Sequence, residues 1–326
     1  MIVKTKILLF YAVALVLVAI FFLLVYIFGD NYRKANQAVE IGETGSFLKN
    51  SPTVSDLEDY LAVVSSASKK KRPPAVPVGT AFLDIFSSDA RLEETGTMYD
   101  TGSLNWWVNS GAWLFSSLGT GKTIQGDLSI SDKWYAEYLK SNPIDTDNGL
   151  HPQNIFRLVQ TGKWKNLIQE VYFRINKLNI STSPNRNASN GLLLFNRYQT
   201  GDNLYYTGIR VDGTAVIKKK INGAYYTLAY NPMYNTAAPY NRDTNPNLIP
   251  SQQWIGLRSE VRTSTDNTVS IKLFIDKDKA GNWVLVAEAQ DDGKSYGGTA
   301  LLNEGYAGIR TDFMDVEFDD YRIASF

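Results

Sequence analysis

The chain has 326 residues, of which 33 are lysine or arginine, 33 are aspartate or glutamate, and 13% are aromatic. It contains no cysteine, which excludes disulfides, thiolate metal sites and cysteine nucleophiles. Because the charges balance, the chain lacks the basic excess typical of nucleic-acid-binding domains, and we expect no nucleic-acid partner.

A 22-residue run from Ile7 to Phe28 contains no charged residue, amide, glycine or proline. As a helix rising 1.5 Å per residue, the run would be about 33 Å long, enough to cross a hydrocarbon core of about 30 Å. It is longer than the apolar region of a cleavable signal peptide and lacks a small-residue cleavage site. The sequence therefore predicts a tail and transmembrane signal-anchor helix over residues 1–28, with the bilayer as a partner through residues 7–28.

The positive charges that flank this run are nearly equal on its two sides, so they do not fix its orientation. A first hydrophobic segment this close to the N-terminus acts as a signal-anchor, and long domains cross membranes largely regardless of charge. We therefore expect a single-pass membrane protein with its N-terminus inside. Its C-terminal domain would lie outside, at a cell surface, in a periplasm or on a virion envelope.

Residues 29–78 have the composition of a stalk or linker. Ser55 and Glu58 have capping-box spacing, and apolar residues follow at helical intervals, which predicts a short amphipathic helix near residues 56–66. The later segment Lys69–Pro74, with the sequence KKKRPP, predicts an extended connector, because its prolines prevent a helix and its charges repel one another.

From residue 79 to residue 326 the pattern changes to that of one large β domain. Residues 269–276 alternate between apolar and polar side chains, as in a strand with one face in the core. Asp212-Gly213 and Asn222-Gly223 separate three further strand-like segments, and such dipeptides favour two-residue hairpin turns. Residues 192–195 are apolar on both faces, which is typical of a central strand covered on both sides. The sequence therefore predicts an all-β, two-sheet antiparallel sandwich.

The order of these segments resembles the concanavalin A-like lectin/glucanase superfamily, which includes laminin G-like modules. The segments that carry the resemblance are NGLLLFNRY (190–198), DNLYY (202–206), WIGLRSEV (254–261), IKLFID (271–276), GYAGIR (305–310) and VEFDDY (316–321). The resemblance implies a jelly-roll sandwich over residues 79–326. It implies function only by analogy, because this scaffold hosts lectins, spacer modules, glycosidases and lyases. Structural calcium is left open, since many members hold it in loops, and no other cofactor is indicated.

Asp315, Glu317 and Asp319 alternate along the last predicted strand, which would place three carboxylates on one face. Retaining glycosidases of the superfamily use a similar acidic strand, with two carboxyl groups about 5 to 5.5 Å apart. Here the pattern begins with aspartate instead of glutamate and lies at the end of the chain. These residues are therefore weak catalytic candidates, and a solvent-facing strand surface is the favoured interpretation.

The segment Arg258–Arg262 resembles a motif of alginate-type lyases, in which arginine neutralises a uronate and a tyrosine or histidine abstracts a proton. The companions that it needs, His151 and Tyr205, precede the motif instead of following it. An ordinary surface strand is therefore favoured, and a non-enzymatic role is preferred to a hydrolase or lyase acting on polysaccharides.

A long segment, residues 231–253, combines tyrosines with asparagine, proline and charged residues. Loops of this length are often functional, and tyrosine rings can stack on sugar rings while polar neighbours bond the hydroxyl groups. The predicted ligand-binding residues are Tyr225, Tyr226, Tyr234, Tyr240, Arg242 and Asp243.

These observations predict a membrane-anchored, externally displayed jelly-roll domain that binds glycans or another surface component. Two alternatives stay open. The first is a glycoside hydrolase or polysaccharide lyase of the same fold. The second is a structural envelope or virion protein that binds no sugar and contacts neighbouring envelope proteins.

Overall fold

The computed structural model describes residues 81–234 and 238–326. The predicted anchor, the stalk and its short helix, and the boundaries at residues 28 and 78 lie outside this range. Within it, no helix has the length and apolar character that crossing a membrane requires.

Sheet A contains seven antiparallel strands. From one edge to the other these are β11 (Ala224–Pro232), β10 (Thr214–Ile221), β9 (Asn203–Arg210), β8 (Gly191–Thr200), β15 (Gly305–Asp312), β6 (Ile155–Trp164) and β3 (Trp106–Ser110).

Sheet B contains nine antiparallel strands. Eight of them run, in order, β14 (Val284–Asp291), β13 (Val269–Asp276), β12 (Trp254–Thr263), β7 (Leu167–Leu178), β16 (Met314–Ser325), β5 (Thr120–Lys122), β4 (Trp113–Ser117) and β2 (Ala90–Glu93), and β1 (Ala81–Asp84) also pairs with β16.

The interior core lies between the two sheets and follows from period-two alternation. On β13, the four side chains of Val269, Ile271, Leu273 and Ile275 are at most 1% exposed, whereas Lys272 points away from the core. Burying each such side chain stabilises the fold by about 1.5–3 kcal/mol. The all-β, two-sheet antiparallel sandwich is thus confirmed for the described residues, in agreement with a jelly roll.

Both predicted hairpin turns are confirmed, because β9, β10 and β11 pair in sequence. Asn222 and Gly223 have φ values of 47° and 81°, a conformation that asparagine and glycine tolerate best. The prediction for residues 192–195 is also confirmed. Leu192 and Leu194 belong to the interior core, and Leu193 and Phe195 belong to a second buried cluster on the other face of sheet A.

One α-helix, α1 (Lys133–Ser141), packs at an edge of the sandwich. Asp132 caps its N-terminus by accepting a hydrogen bond from the Trp134 amide at 2.9 Å. Its buried Tyr138 donates a hydrogen bond to Glu94 Oε2 at 2.5 Å, and the Ala112 amide donates to the same oxygen at 2.8 Å. A buried carboxyl group therefore connects the helix to the sheet edge.

Candidate functional site

Aromatic side chains form a row across the outer face of sheet A, the face that points away from the interior core. Tyr306 on β15 lies opposite Tyr198 on β8, whose ring centroid is 5.6 Å from that of Phe195. Phe195 lies opposite Tyr206 on β9, and Tyr206 meets Tyr225 on β11 edge-on at 6.2 Å. We call these side chains the aromatic row: Tyr306, Tyr198, Phe195, Tyr206 and Tyr225. Phe195 and Tyr206 are buried, whereas Tyr198, Tyr225 and Tyr306 are half-buried.

A backbone irregularity at Arg197 brings Tyr198 into the row. In a regular strand, residues three positions apart point to opposite faces. Arg197 has a φ of 50°, and the pairing of β8 with β9 and with β15 shifts register near this residue. The extra residue works as a β-bulge, so Tyr198 emerges on the same face as Phe195.

Two glycines lie opposite buried side chains at the centre of this face. Gly308 lies opposite Phe195, and Gly208 lies opposite Leu193. A Cβ atom at Gly208 would lie 2.1 Å from the Leu192 carbonyl oxygen, so only glycine fits this position. Leu193 and Phe195, which lie opposite these glycines, are 1% and 3% exposed, so the centre of this face is closely packed.

A cavity of about 540 Å³ opens at the Tyr306 end of the aromatic row. Its volume lies within the range of about 300–1,000 Å³ that is usual for small-molecule sites. Its walls include Lys163, Lys165, Tyr198, Asn303, Glu304 and Tyr306. The row therefore begins in a concave site that carries both apolar rings and hydrogen-bonding groups.

Basic side chains accompany the row along its length. The Lys163 ammonium lies 5.7 Å from the Tyr306 ring centroid, and the Lys220 and Lys218 ammonium groups lie 4.7 Å and 5.7 Å from that of Tyr225. These distances fall within the range of cation–π attraction.

Arg157 and Arg310 lie directly opposite each other in the β6–β15 pair. Burial, and then the positive charge of Arg310, lower the pKa of Arg157 to about 10, so it stays a cation at neutral pH.

Three carboxylates border the row at separate positions. Glu304 lies in the cavity wall. Asp312 accepts a hydrogen bond from Arg310 Nε at 2.8 Å, and Asp202 pairs with the Lys220 ammonium at 3.4 Å. The last two therefore serve as counter-ions to basic side chains.

The structure separates the six predicted ligand-binding residues. Tyr225 belongs to the aromatic row, whereas Tyr226, Tyr234 and Tyr240 are partly buried against the interior core. Burial raises the pKa of Tyr234 and of Tyr240. Arg242 donates to the carbonyl oxygens of Thr182 and Ser183, and Asp243 pairs with Arg186. Binding through these residues stays a prediction, and the other members of the row were not predicted.

The three acidic residues of β16 each have their own partners. Asp315 is buried and accepts hydrogen bonds from the Gly126 amide and from the side-chain amides of Gln153 and Asn179. Asp319 pairs with Lys279.

Glu317 pairs with Lys122 at 3.1 Å and with Arg174. Burial acts to raise the pKa of Glu317, but the bonds from Lys122 and Arg174 outweigh it and hold that pKa below its usual value. A general acid needs a raised pKa, so these contacts do not favour that role for Glu317. A catalytic role for the acidic strand stays a prediction.

The residues of the lyase-like motif lie in different places. Arg258 is on sheet B, where it bonds Glu170 at 2.6 Å and lies 4.3 Å from the Trp283 ring. Tyr205 is buried in the interior core, and His151 lies in a loop between Asp127 and Asp147. In residues 81–234 and 238–326, no group of three or more histidine, aspartate or glutamate side chains is placed to hold a metal ion.

No protein family model matches the chain, and no curated protein matches it. Solved structures do match it. The carbohydrate-binding module CBM66 from Bacillus subtilis is 13% identical, with 68% of this chain and 95% of that chain covered and a TM-score of 0.41. A beta-glucanase from Bacillus licheniformis is 11% identical over 77% of this chain and 100% of that chain, with a TM-score of 0.39. An alginate lyase from Aplysia kurodai is 8% identical over 74% of this chain and 100% of that chain, with a TM-score of 0.29.

Proposed function

We propose that the sandwich binds a polysaccharide along the aromatic row. The observation that supports this proposal is the continuous series of rings from the cavity at Tyr306 to Tyr225 at the other end. Strands are spaced about 4.8 Å apart, so four steps from β15 to β11 span about 19 Å. This length suits an extended ligand whose apolar sugar faces stack on the half-buried rings of Tyr306, Tyr198 and Tyr225 and whose hydroxyl groups bond the polar neighbours.

Binding is favoured over hydrolysis by the carboxylates near the row. Hydrolysis of a glycosidic bond requires two carboxyl groups on either side of that bond, about 5–10 Å apart. Asp312 and Asp202 are engaged with Arg310 and Lys220, and Glu304 lies in the cavity wall. The open cavity also supports a ligand-binding role over that of a purely structural envelope protein.

We further propose that the domain is displayed outside a membrane on an uncleaved anchor, because the apolar run over residues 7–28 lacks a cleavage site. We expect protein extracted from membranes to retain Met1 or Ile2 at its N-terminus. N-terminal sequencing tests this expectation. A mature N-terminus near residue 30 would show instead that the segment is removed.

Replacement of Tyr198 or Tyr306 by alanine should weaken polysaccharide binding. Each ring lost from a stacking site costs about 0.5–1.5 kcal/mol beyond its buried area, which corresponds to up to roughly tenfold in affinity. The measurement is binding of the full-length chain to a panel of immobilised polysaccharides, with thermal unfolding to show that each variant is folded.

Tyr99→Ala provides the matched control, because Tyr99 is 39% exposed and belongs neither to the row nor to the cavity wall. Tyr234→Ala and Tyr240→Ala test the competing loop prediction. Loss of binding in the loop variants, with normal binding by Tyr198→Ala and Tyr306→Ala, would contradict a site on the row. If the chain instead cleaves a polysaccharide and Glu317→Gln abolishes cleavage, the hydrolase alternative replaces the binding function.

A further inference from the structure

We infer that Arg197 is a positioning residue for the binding site, because its guanidinium group holds the wall of the cavity and the orientation of the Tyr198 ring. This inference rests on the proposed function and assigns the residue that gives the site its shape. Arg197 itself is 0% exposed, so it acts through the residues that it holds.

The guanidinium group of Arg197 joins segments that are far apart in the sequence. Its Nε donates to the Lys165 carbonyl oxygen at 2.7 Å, in the turn between β6 and β7. One terminal nitrogen donates to the Leu301 carbonyl oxygen at 2.6 Å, and the other donates to Thr263 Oγ1 at 2.7 Å. Leu301 lies between β14 and β15, and Thr263 ends β12. A single side chain therefore connects sheet A to sheet B and to two of the chain connections.

The bonded segments carry the wall of the cavity. Lys165 belongs to the wall, and so do residues 302–306, which follow Leu301. Gly305 packs so closely on the backbone of Arg197 that a Cβ atom at this position would overlap the Arg197 carbonyl group. The wall is thus attached to Arg197 through its side chain and through its backbone.

The backbone of Arg197 shows what the hydrogen bonds maintain. Its φ of 50° lies in the left-handed region, which residues other than glycine rarely occupy. Such a conformation persists only where the surroundings determine it. The bonds to Lys165, Leu301 and Thr263 supply that constraint, and the bulge turns the next residue, Tyr198, toward the outer face. Loss of these bonds should therefore release the bulge and move the Tyr198 ring.

The shape of arginine explains why this residue type suits the position. Its planar group presents five N–H donors in a fixed fork, whereas a lysine ammonium is a point charge with three donors. Burial lowers the pKa of Arg197 to about 10, so the group is still a cation at neutral pH. Lysine would keep the charge but could not reach the same oxygens at once. Because binding groups must be held to within about 0.5 Å, this difference should be felt at the site.

The first test is Arg197→Lys in the full-length chain, assayed on the panel of immobilised polysaccharides. We expect it to weaken binding about as much as Tyr198→Ala, up to roughly tenfold, because a displaced ring no longer stacks on the ligand. Arg186→Lys is the matched control. Arg186 is also buried, but it bonds the carbonyl oxygens of Ser181 and Arg242, away from the cavity wall. Both variants should lower the melting temperature, whereas only Arg197→Lys should weaken binding.

Thr263→Val is a milder variant that perturbs the same contact from the other sheet. It removes a hydroxyl acceptor of Arg197 and lies outside the cavity wall, so any effect on binding must pass through Arg197. We expect a smaller loss of binding in the same direction. If Arg197→Lys does not fold, unchanged binding by Thr263→Val would overturn the inference.

Two further readouts separate positioning from a general loss of stability. In a double-mutant cycle, Arg197→Lys should cost less binding in the Tyr198→Ala background than in the wild type, because it acts in part through that ring. In the protein without ligand, hydroxyl radicals should oxidise Tyr198 faster in Arg197→Lys and at an unchanged rate in Arg186→Lys, because a released ring is more accessible.

Binding by Arg197→Lys equal to that of the wild type would overturn the inference and leave the proposed function intact. Equal losses of binding in Arg197→Lys and Arg186→Lys would also overturn it, because the losses would then follow stability alone. Absence of binding by the wild type across the whole panel would contradict the proposed function itself.

Discussion

Asp291→Ala should lower the free energy of unfolding by about 3–5 kcal/mol, because it removes one partner of a buried ion pair. Asp291 Oδ1 accepts a hydrogen bond from the Lys219 ammonium at 2.9 Å, and Oδ2 accepts one from the Tyr205 hydroxyl at 2.5 Å. The side chains of Lys219 and Asp291 are both 0% exposed. Without the carboxylate, Lys219 would keep its bond to the Gly298 carbonyl oxygen at 3.1 Å but lose its counter-charge. Denaturant unfolding at neutral pH measures the change.

Two further variants make this prediction specific. Glu288→Ala removes a surface partner of Lys272, at 3.8 Å, and should change stability by no more than about 1 kcal/mol. The double variant Asp291→Leu/Lys219→Met replaces the pair by apolar side chains of similar size and should recover most of the loss, because no buried charge remains unpaired. A loss in Asp291→Ala no larger than that in Glu288→Ala would contradict this account of the pair.

The same pair supports the candidate site. The Gly293 amide donates to Asp291 Oδ1 at 3.1 Å, and the Leu301 amide donates to the Tyr205 hydroxyl at 3.0 Å. These bonds hold both ends of the loop that leads to Asn303 and Glu304 in the cavity wall. Asp291→Ala is therefore expected to weaken ligand binding even under conditions where the variant remains folded.

Glu94→Gln should remove a pH dependence of stability between about pH 4.5 and pH 7. Burial raises the pKa of Glu94 from 4.5 to about 7, against the opposing effect of hydrogen bonds from Tyr138 and Ala112. Because the folded-state pKa is the higher one, the folded protein retains a proton that the unfolded chain loses in this range. The contribution of Glu94 to stability is therefore fully present below about pH 4.5 and is lost as pH rises through about 7.

The expected difference is up to about 3 kcal/mol, since each pH unit between the two pKa values corresponds to about 1.36 kcal/mol. Glutamine stays neutral and can still accept the bonds from Tyr138 and Ala112. The free energy of unfolding of Glu94→Gln should therefore increase relative to that of the wild type as pH rises. The measurement is the free energy of unfolding of both proteins from pH 4 to pH 8. Curves that stay parallel over this range would contradict a protonated, buried Glu94.

The architecture could be predicted because it depends on local patterns. Alternation over Val269–Asp276 fixes which face of β13 is buried, and Asn222-Gly223 fixes the turn and register of the β10–β11 hairpin in sheet A. Neither feature requires knowledge of distant residues. Helix α1 was not predicted, because it is short and buries only Tyr138 fully.

The site could not be predicted in the same way, because its members meet only after the strands have paired. Phe195 and Tyr306 are distant in sequence, and Tyr198 joins them through the bulge at Arg197. The one local signal at this face was the run of apolar residues on both faces of β8, which predicted that the strand is covered on both sides. The prediction for the long loop assumed that its tyrosines are exposed, whereas Tyr234 packs against the interior core.

The burial of Lys219 could not be predicted from the sequence either. It lies between Lys218 and Lys220, and such a run is typical of a solvated surface. Alternation turns the middle lysine inward, and the carboxylate that makes its burial tolerable lies on β14 of the other sheet. No local pattern in the sequence identifies that partner.

Hydroxyl-radical footprinting of the full-length chain, with and without a polysaccharide that it binds, tests most directly whether the aromatic row is the binding surface. Mass spectrometry reports the oxidation rate of each aromatic side chain. A ligand lying along the row should slow the oxidation of Tyr198, Tyr225 and Tyr306 and leave that of Tyr234, Tyr240 and Trp254 unchanged. Slower oxidation of Tyr234 and Tyr240, or of Trp254, without a change at Tyr198 and Tyr306 would place the ligand elsewhere and contradict the account.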